Sequence, residues 1–107
     1  MLFVLGHSLG GMLAPRIAAA DARIAGLVVM AGAVRPLEDS IVRQTRYLAE
    51  LDGRLSAAEK SQIDAAESLA RRVRSLKPGD PPVVSAPYGA PSSYFLDLRG
   101  YRPRRPR

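Results

Sequence analysis

Apolar positions in this chain come first in unbroken runs and later in spaced series. Leu2-Phe3-Val4-Leu5 is a continuous apolar run closed by Gly6. Such a run predicts a strand buried on both faces, as in a parallel sheet. An alanine-rich stretch follows, and a helix is predicted over Leu9–Ala20 with Met12, Leu13 and Ile17 available to pack. Pro15 falls inside it, removes one helical hydrogen bond and is expected to bend or weaken the helix. Ile24–Ala31 is a second apolar run, rich in β-branched residues and bounded by Gly32. Strand, helix and strand in so short a span predict a βαβ unit with parallel strands and a right-handed crossover.

The pattern then changes period. Leu37, Ile41, Leu48 and Leu51 recur at helical spacing, with Gly53 as a stop. Ser56 and Glu59 form a capping-box pair that starts a second helix. Ile63, Leu69, Val73 and Leu76 are its predicted apolar stripe, and Pro78-Gly79 ends it. The segment 77–91 holds five prolines and two glycines and is predicted to be an ordered or semi-rigid loop. Ser92 is placed to cap a short helix through Tyr94, Phe95 and Leu98. The expected organisation is a βαβ piece over 1–34, a helical segment with a Pro-rich loop over 35–101, and an extended, mobile tail over 102–107.

Length and composition narrow the classes. The 107 residues allow one domain at most. Nearly half are apolar and about a quarter charged, the balance of a globular chain. There is no cysteine, which excludes disulfides and thiolate metal sites. No stretch reaches membrane-spanning length, and no signal peptide is seen, so a cytoplasmic location is expected. The net charge of +6 is concentrated at one end, where Arg102, Arg104, Arg105 and Arg107 supply four charges. No aromatic residue interrupts that Arg-Pro run to stack on a base, so nucleic acid is not an expected partner.

The candidate chemistry lies at Gly6-His7-Ser8-Leu9-Gly10, followed by Gly11. This is a G-x-S-x-G pattern between a predicted strand and a predicted helix, the context that makes it specific. A serine on so sharp a turn needs small neighbours, and Gly6 and Gly10 are expected to supply the room. The turn would lift the hydroxyl above the sheet edge. The Leu9 N–H, at the helix start, would point to the same place and stabilise an oxyanion. The bland reading of Ser8 is a helix cap.

Phe3–Ala20 resembles the nucleophile elbow of the α/β-hydrolase superfamily, in the Gly-His-Ser-Leu-Gly-Gly form of bacterial serine esterases and lipases. Ile24–Ala31 is similar to that family's next sheet strand. The helices from Leu37 to Leu76 sit where the family often inserts a lid. Ser93–Tyr101 resembles a lid-closing segment of esterase-like hydrolases of the dienelactone-hydrolase-related branch. The resemblance implies an α/β class, as a partial α/β-hydrolase fold: a βαβ unit with a nucleophile elbow, then a lid-like helical segment. It further implies Ser8 as nucleophile, Leu9 as an oxyanion donor through its backbone N–H, and His7 bordering a substrate site. The reaction implied is hydrolysis of a small ester or related acyl compound through a Ser8 acyl-enzyme, with no cofactor and no metal.

The family takes its acid and its histidine from further along the chain. The sole histidine here is His7, which adjoins Ser8 and is read as a spacer rather than the base. Asp39, Asp80 and Asp97 are read as helix-start, turn or solvated carboxylates rather than triad acids. The chain is therefore expected to be an internal piece of a hydrolase, inactive alone and prone to oligomerise or aggregate through exposed apolar edges. The alternatives are a non-catalytic fragment whose Arg-Pro tail binds acidic partners, and a remnant without function.

Overall fold

A computed structural model describes residues 1–85 and 88–103. The chain divides into two compact units. One is Met1–Arg35 with Arg102 and Pro103; the other is Pro36–Tyr101. Arg104, Arg105 and Arg107, three of the four tail arginines, lie outside the described residues.

The first unit is the βαβ motif. Strand β1 (Leu2–His7) and strand β2 (Ile24–Met30) pair in parallel, and helix α1 (Leu9–Ala20) connects them. From Phe3↔Gly26 to His7↔Met30 the register is continuous. Because side chains alternate across a strand, Phe3, Leu5, His7, Val28 and Met30 share one face. All five are exposed. Val4, Gly6, Leu27 and Val29 share the other. Helix α1 runs without interruption through Pro15, although one hydrogen bond is lost there. Gly11, Met12 and Ala14 are buried along it, and this packing outweighs the local defect.

Strand β1 extends to His7, two residues past the apolar run, because Gly6 and His7 still pair with Val29 and Met30. Strand β2 stops at Met30, one residue short of expectation. Ala31 leaves the extended region with φ 49°, which no strand residue can adopt.

The second unit is built on a helical hairpin. Helix α2 covers Leu37–Ala49 and helix α3 covers Ala57–Ser75. The predicted α2 stripe is corrected in its second half. Leu37 and Ile41 pack on the core, but Leu48 and Leu51 are exposed, and Ala49 is buried instead. Glu38, Ile41, Thr45 and Ala49 carry the inward face at intervals of three and four. Glu38 sits in the first turn, where a carboxylate complements the helix dipole.

At the start of α3 both bonds of the capping box are present. Glu59 N–H donates to Ser56 Oγ (3.1 Å), and Ser56 N–H donates to Glu59 Oε2 (2.8 Å). Leu69, Val73 and Leu76 form the core with Val83 and Phe95. At the other end of α3, Arg99 Nη1 donates to the carbonyls of Leu76 (2.7 Å), Arg74 (3.3 Å) and Val73 (3.5 Å). A cation there meets the negative end of the helix dipole and the last carbonyls of the helix, of which Val73 O also accepts the Leu76 N–H.

The Pro-rich segment is not only loop. Val83–Ser85 (β3) and Tyr88–Ala90 (β4) pair antiparallel, and Val83 enters the core. Helix α4 (Ser92–Leu98) follows. Its N-cap is Pro91 rather than Ser92, and the Ser92 hydroxyl instead donates to the Asp80 carbonyl at 2.7 Å.

Candidate functional site

Ser8 sits between the last residue of β1 and the first of α1, with φ 55° and ψ −118°. Positive φ is costly for a residue with a Cβ, and this region is sparsely populated by anything but glycine. Two backbone bonds hold Ser8 there. Its N–H donates to Met30 O at the end of β2 (2.9 Å), and its carbonyl accepts from Met12 N–H (3.0 Å).

The Ser8 hydroxyl makes no capping bond to the helix, so the helix-cap reading of this serine does not hold. Its side chain is exposed. Met12 is the residue whose N–H reaches back to Ser8. The Leu9, Gly10 and Gly11 N–H groups therefore belong to the helix start, where donors have no intrahelical acceptor. Leu9 is thus a backbone donor one residue from the hydroxyl, at the positive end of α1.

The room for this turn comes from Gly6, Gly11 and Gly32. A Cβ on Gly6 would collide with the carbonyl of Gly10 and would stand 2.8 Å from Gly11 N. A Cβ on Gly11 would stand 3.0 Å from both Gly32 Cα and Gly6 O. Gly10, expected to make space, has nothing within 4 Å of its would-be Cβ. A side chain there would meet open solvent. The pattern's final glycine is thus not the one sterics require; Gly11 is. Sequence inspection missed Gly32, and the signal was its position directly after an apolar strand run.

His7 is the last residue of β1 and is exposed on the face that also carries Phe3 and Leu5. Successive strand residues point to opposite faces. Among the described residues no hydrogen bond joins His7 to Ser8. Asp39 is ion-paired with Arg74 in the second unit. Asp80 Oδ2 accepts from Lys77 N–H at 2.8 Å and closes a turn. Both carboxylates have structural roles.

The first unit also carries an apolar cleft of about 520 Å³ along α1 and β2, lined by Gly11, Pro15, Ala18, Ile24, Leu27 and Val34 among others; His7, Ser8 and Leu9 do not line it. Among the described residues no group of three or more His, Cys, Asp or Glu side chains could hold a metal ion, and no helix is long and apolar enough to cross a membrane.

Against curated proteins, the chain aligns with Esterase EstD of Thermotoga maritima over 98 residues at 38% identity. This chain is similar to an esterase. The alignment takes in 92% of the chain and 21% of the relative, so the chain spans about a fifth of the length of the esterase it matches. No family model matches the chain, and no solved structure matches it.

Proposed function

We propose that Ser8 is the nucleophile of a serine hydrolase acting on carboxylic esters, and that β1, the Ser8 turn and α1 are its nucleophile elbow. The observation that carries this reading is the backbone of Ser8. A serine stands at φ 55°, ψ −118°, where glycine would cost less, and its hydroxyl serves no structural bond. Strain held in place by the surrounding backbone, at a residue whose side chain makes no structural bond of its own, is characteristic of sites where the side chain itself is needed. Similarity to an esterase over 92% of the chain supports the same reading.

The chemistry follows from the turn. The Ser8 Oγ gives its proton to the base and attacks the ester carbonyl, forming a tetrahedral intermediate whose oxyanion is met by the Leu9 N–H at the start of α1; the same proton passes to the leaving alcohol. Loss of the alcohol leaves an acyl-enzyme, which water then hydrolyses. His7 lies on β1 and borders the site; it does not serve as the base. The base and acid are taken to come from outside these residues, because His7 is the sole histidine and Asp39, Asp80 and Asp97 each have partners of their own. The α2–α3 hairpin is assigned as a lid-like segment of that enzyme, Ser93–Tyr101 as a lid-closing segment, and the enzyme to the bacterial esterase-like, dienelactone-hydrolase-related branch.

A fluorophosphonate tests this assignment, with imidazole added to stand in for the missing base. The expected result is a single adduct on the peptide carrying Ser8, absent from Ser8→Ala. Folded chain that takes up no reagent at Ser8, or takes it up equally at other serines, contradicts the assignment.

A further inference from the structure

We propose that the corner ending β2 — Met30, Ala31 and Gly32 — is a positioning element that holds Ser8 and the Leu9 N–H in their reactive arrangement. This rests on the reading of Ser8 as nucleophile and extends it to residues outside the serine motif.

Three observations meet at this corner. First, Met30 O accepts the Ser8 N–H at 2.9 Å, so the strained turn is tied to β2 rather than to its own strand. Second, Ala31 has φ 49°; Ser8 and Ala31 are the two residues other than glycine with positive φ among those described. The two strained residues flank the same hydrogen bond. Third, the backbone of α1's first turn rests directly on this corner. A Cβ on Gly32 would stand 2.9 Å from Gly11 C and 3.1 Å from Gly11 O, and one on Gly11 would stand 3.1 Å from Met30 O. No side chain separates the helix start from the strand end.

The mechanical consequence is specific. The direction of the Leu9 N–H is set by the first turn of α1, and that turn is seated through Gly11 on Gly32. The φ of Ser8 is set by the pull of Met30 O on its N–H. A displacement of the corner by a few tenths of an ångström therefore moves nucleophile and oxyanion donor relative to each other. Such a loss of preorganisation lowers reactivity before it lowers stability. Gly11, Met30, Ala31 and Gly32 act through Ser8 and Leu9 and touch no substrate.

The test compares two glycines of one chain segment. Gly32→Ala places a methyl against the Gly11 backbone, which has to shift. Gly26→Ala, in the middle of β2, places one 2.9 Å from the exposed ring edge of Phe3, which can swing away. In the intact chain, Gly32→Ala is expected to speed amide hydrogen exchange at Ser8 and Met12, whose N–H groups bond Met30 O and Ser8 O, at least tenfold. It should slow fluorophosphonate labelling of Ser8 (imidazole present) by a similar factor. Gly26→Ala should change either by less than twofold. If Gly32→Ala alone unfolds the βαβ unit, Val29→Ala is combined with it, because Val29 Cγ1 makes the closest contact with the new methyl, at 2.6 Å. Wild-type exchange and labelling in a folded Gly32→Ala chain, or an equal loss in Gly26→Ala, overturns the proposal. Absence of labelling in the wild-type chain overturns the assignment of Ser8 as nucleophile instead, and the exchange rates still decide whether the corner positions the turn.

Discussion

Replacing Ser8 by glycine should make the βαβ unit more stable, while replacing it by alanine should not. The serine backbone lies at φ 55°, ψ −118°. A residue with a Cβ held in so sparsely populated a region costs roughly 1–3 kcal/mol. Glycine removes that cost but adds freedom to the unfolded chain, worth about 0.5–1 kcal/mol against folding. Nothing else is lost, because the hydroxyl caps nothing, the side chain is exposed, and both bonds of Ser8 to Met30 and Met12 are backbone bonds that glycine keeps. The net gain is about 1 kcal/mol for Ser8→Gly over Ser8→Ala, which retains the Cβ and its strain. Native-state amide hydrogen exchange in β1 and β2 reads the difference. Each 1 kcal/mol slows globally opening amides by roughly fivefold. A Ser8→Gly chain that exchanges as fast as Ser8→Ala, or faster, refutes the claim that strain is stored at this residue. Stability gained by deleting the whole side chain is the trade-off expected where that side chain is kept for chemistry.

Other perturbations probe the rest of the account. Arg99→Ala removes the guanidinium from three carbonyls at the end of α3, and the cost should be about 1 kcal/mol, since Arg99 is exposed and water can replace it; the denaturation midpoint of the second unit should fall accordingly. Ser56→Ala breaks the capping box and should cost about 1 kcal/mol, read as faster exchange of the first α3 amides. Leu69→Ala empties a buried core position and should cost about 2–5 kcal/mol, whereas Leu48→Ala on the exposed side of α2 should stay within about 0.5 kcal/mol, measured by urea unfolding. The side chain and backbone of Arg23 hydrogen-bond the Asp21 carboxylate and hold its pKa below the ordinary value. The ionised form is thus favoured in the fold, so its contribution to stability is present above the unfolded pKa and lost as pH falls through the lower folded value. An NMR titration should show the Asp21 midpoint rising in Arg23→Ala.

The start of the fold was legible because it is local. An apolar run, a glycine-flanked turn, an alanine-rich helix and a second run leave few arrangements, and the parallel pairing of β1 with β2 follows from the crossover rule. The α3 cap was legible because Ser56 and Glu59 carry the whole motif within four residues. What escaped was set by tertiary geometry. Leu48 and Leu51 fit a helical stripe as well as Ala49 does, and only packing against α3 and the core decides which faces inward. The β3–β4 hairpin was hidden by prolines at its borders, although Val83 had the apolar signature of a strand. Ser92 has the chemistry of a cap, but Pro91 takes that place and frees the hydroxyl for Asp80. At the candidate site, the position of Ser8 between strand and helix was readable. Its seating on Met30, Ala31 and Gly32 joins residues more than twenty apart and leaves no local pattern.

The most direct test of the central claim grafts this chain into the esterase it matches. The aligned segment of EstD is replaced by these residues, so that any base and acid the site requires come from the surrounding enzyme. Hydrolysis of a simple ester is then measured with Ser8 intact and with Ser8→Ala. The account predicts turnover in the first hybrid and its loss by several orders of magnitude in the second, with both hybrids folded by circular dichroism. A folded hybrid that is inactive with Ser8 present, or one that keeps its rate without it, would contradict the account.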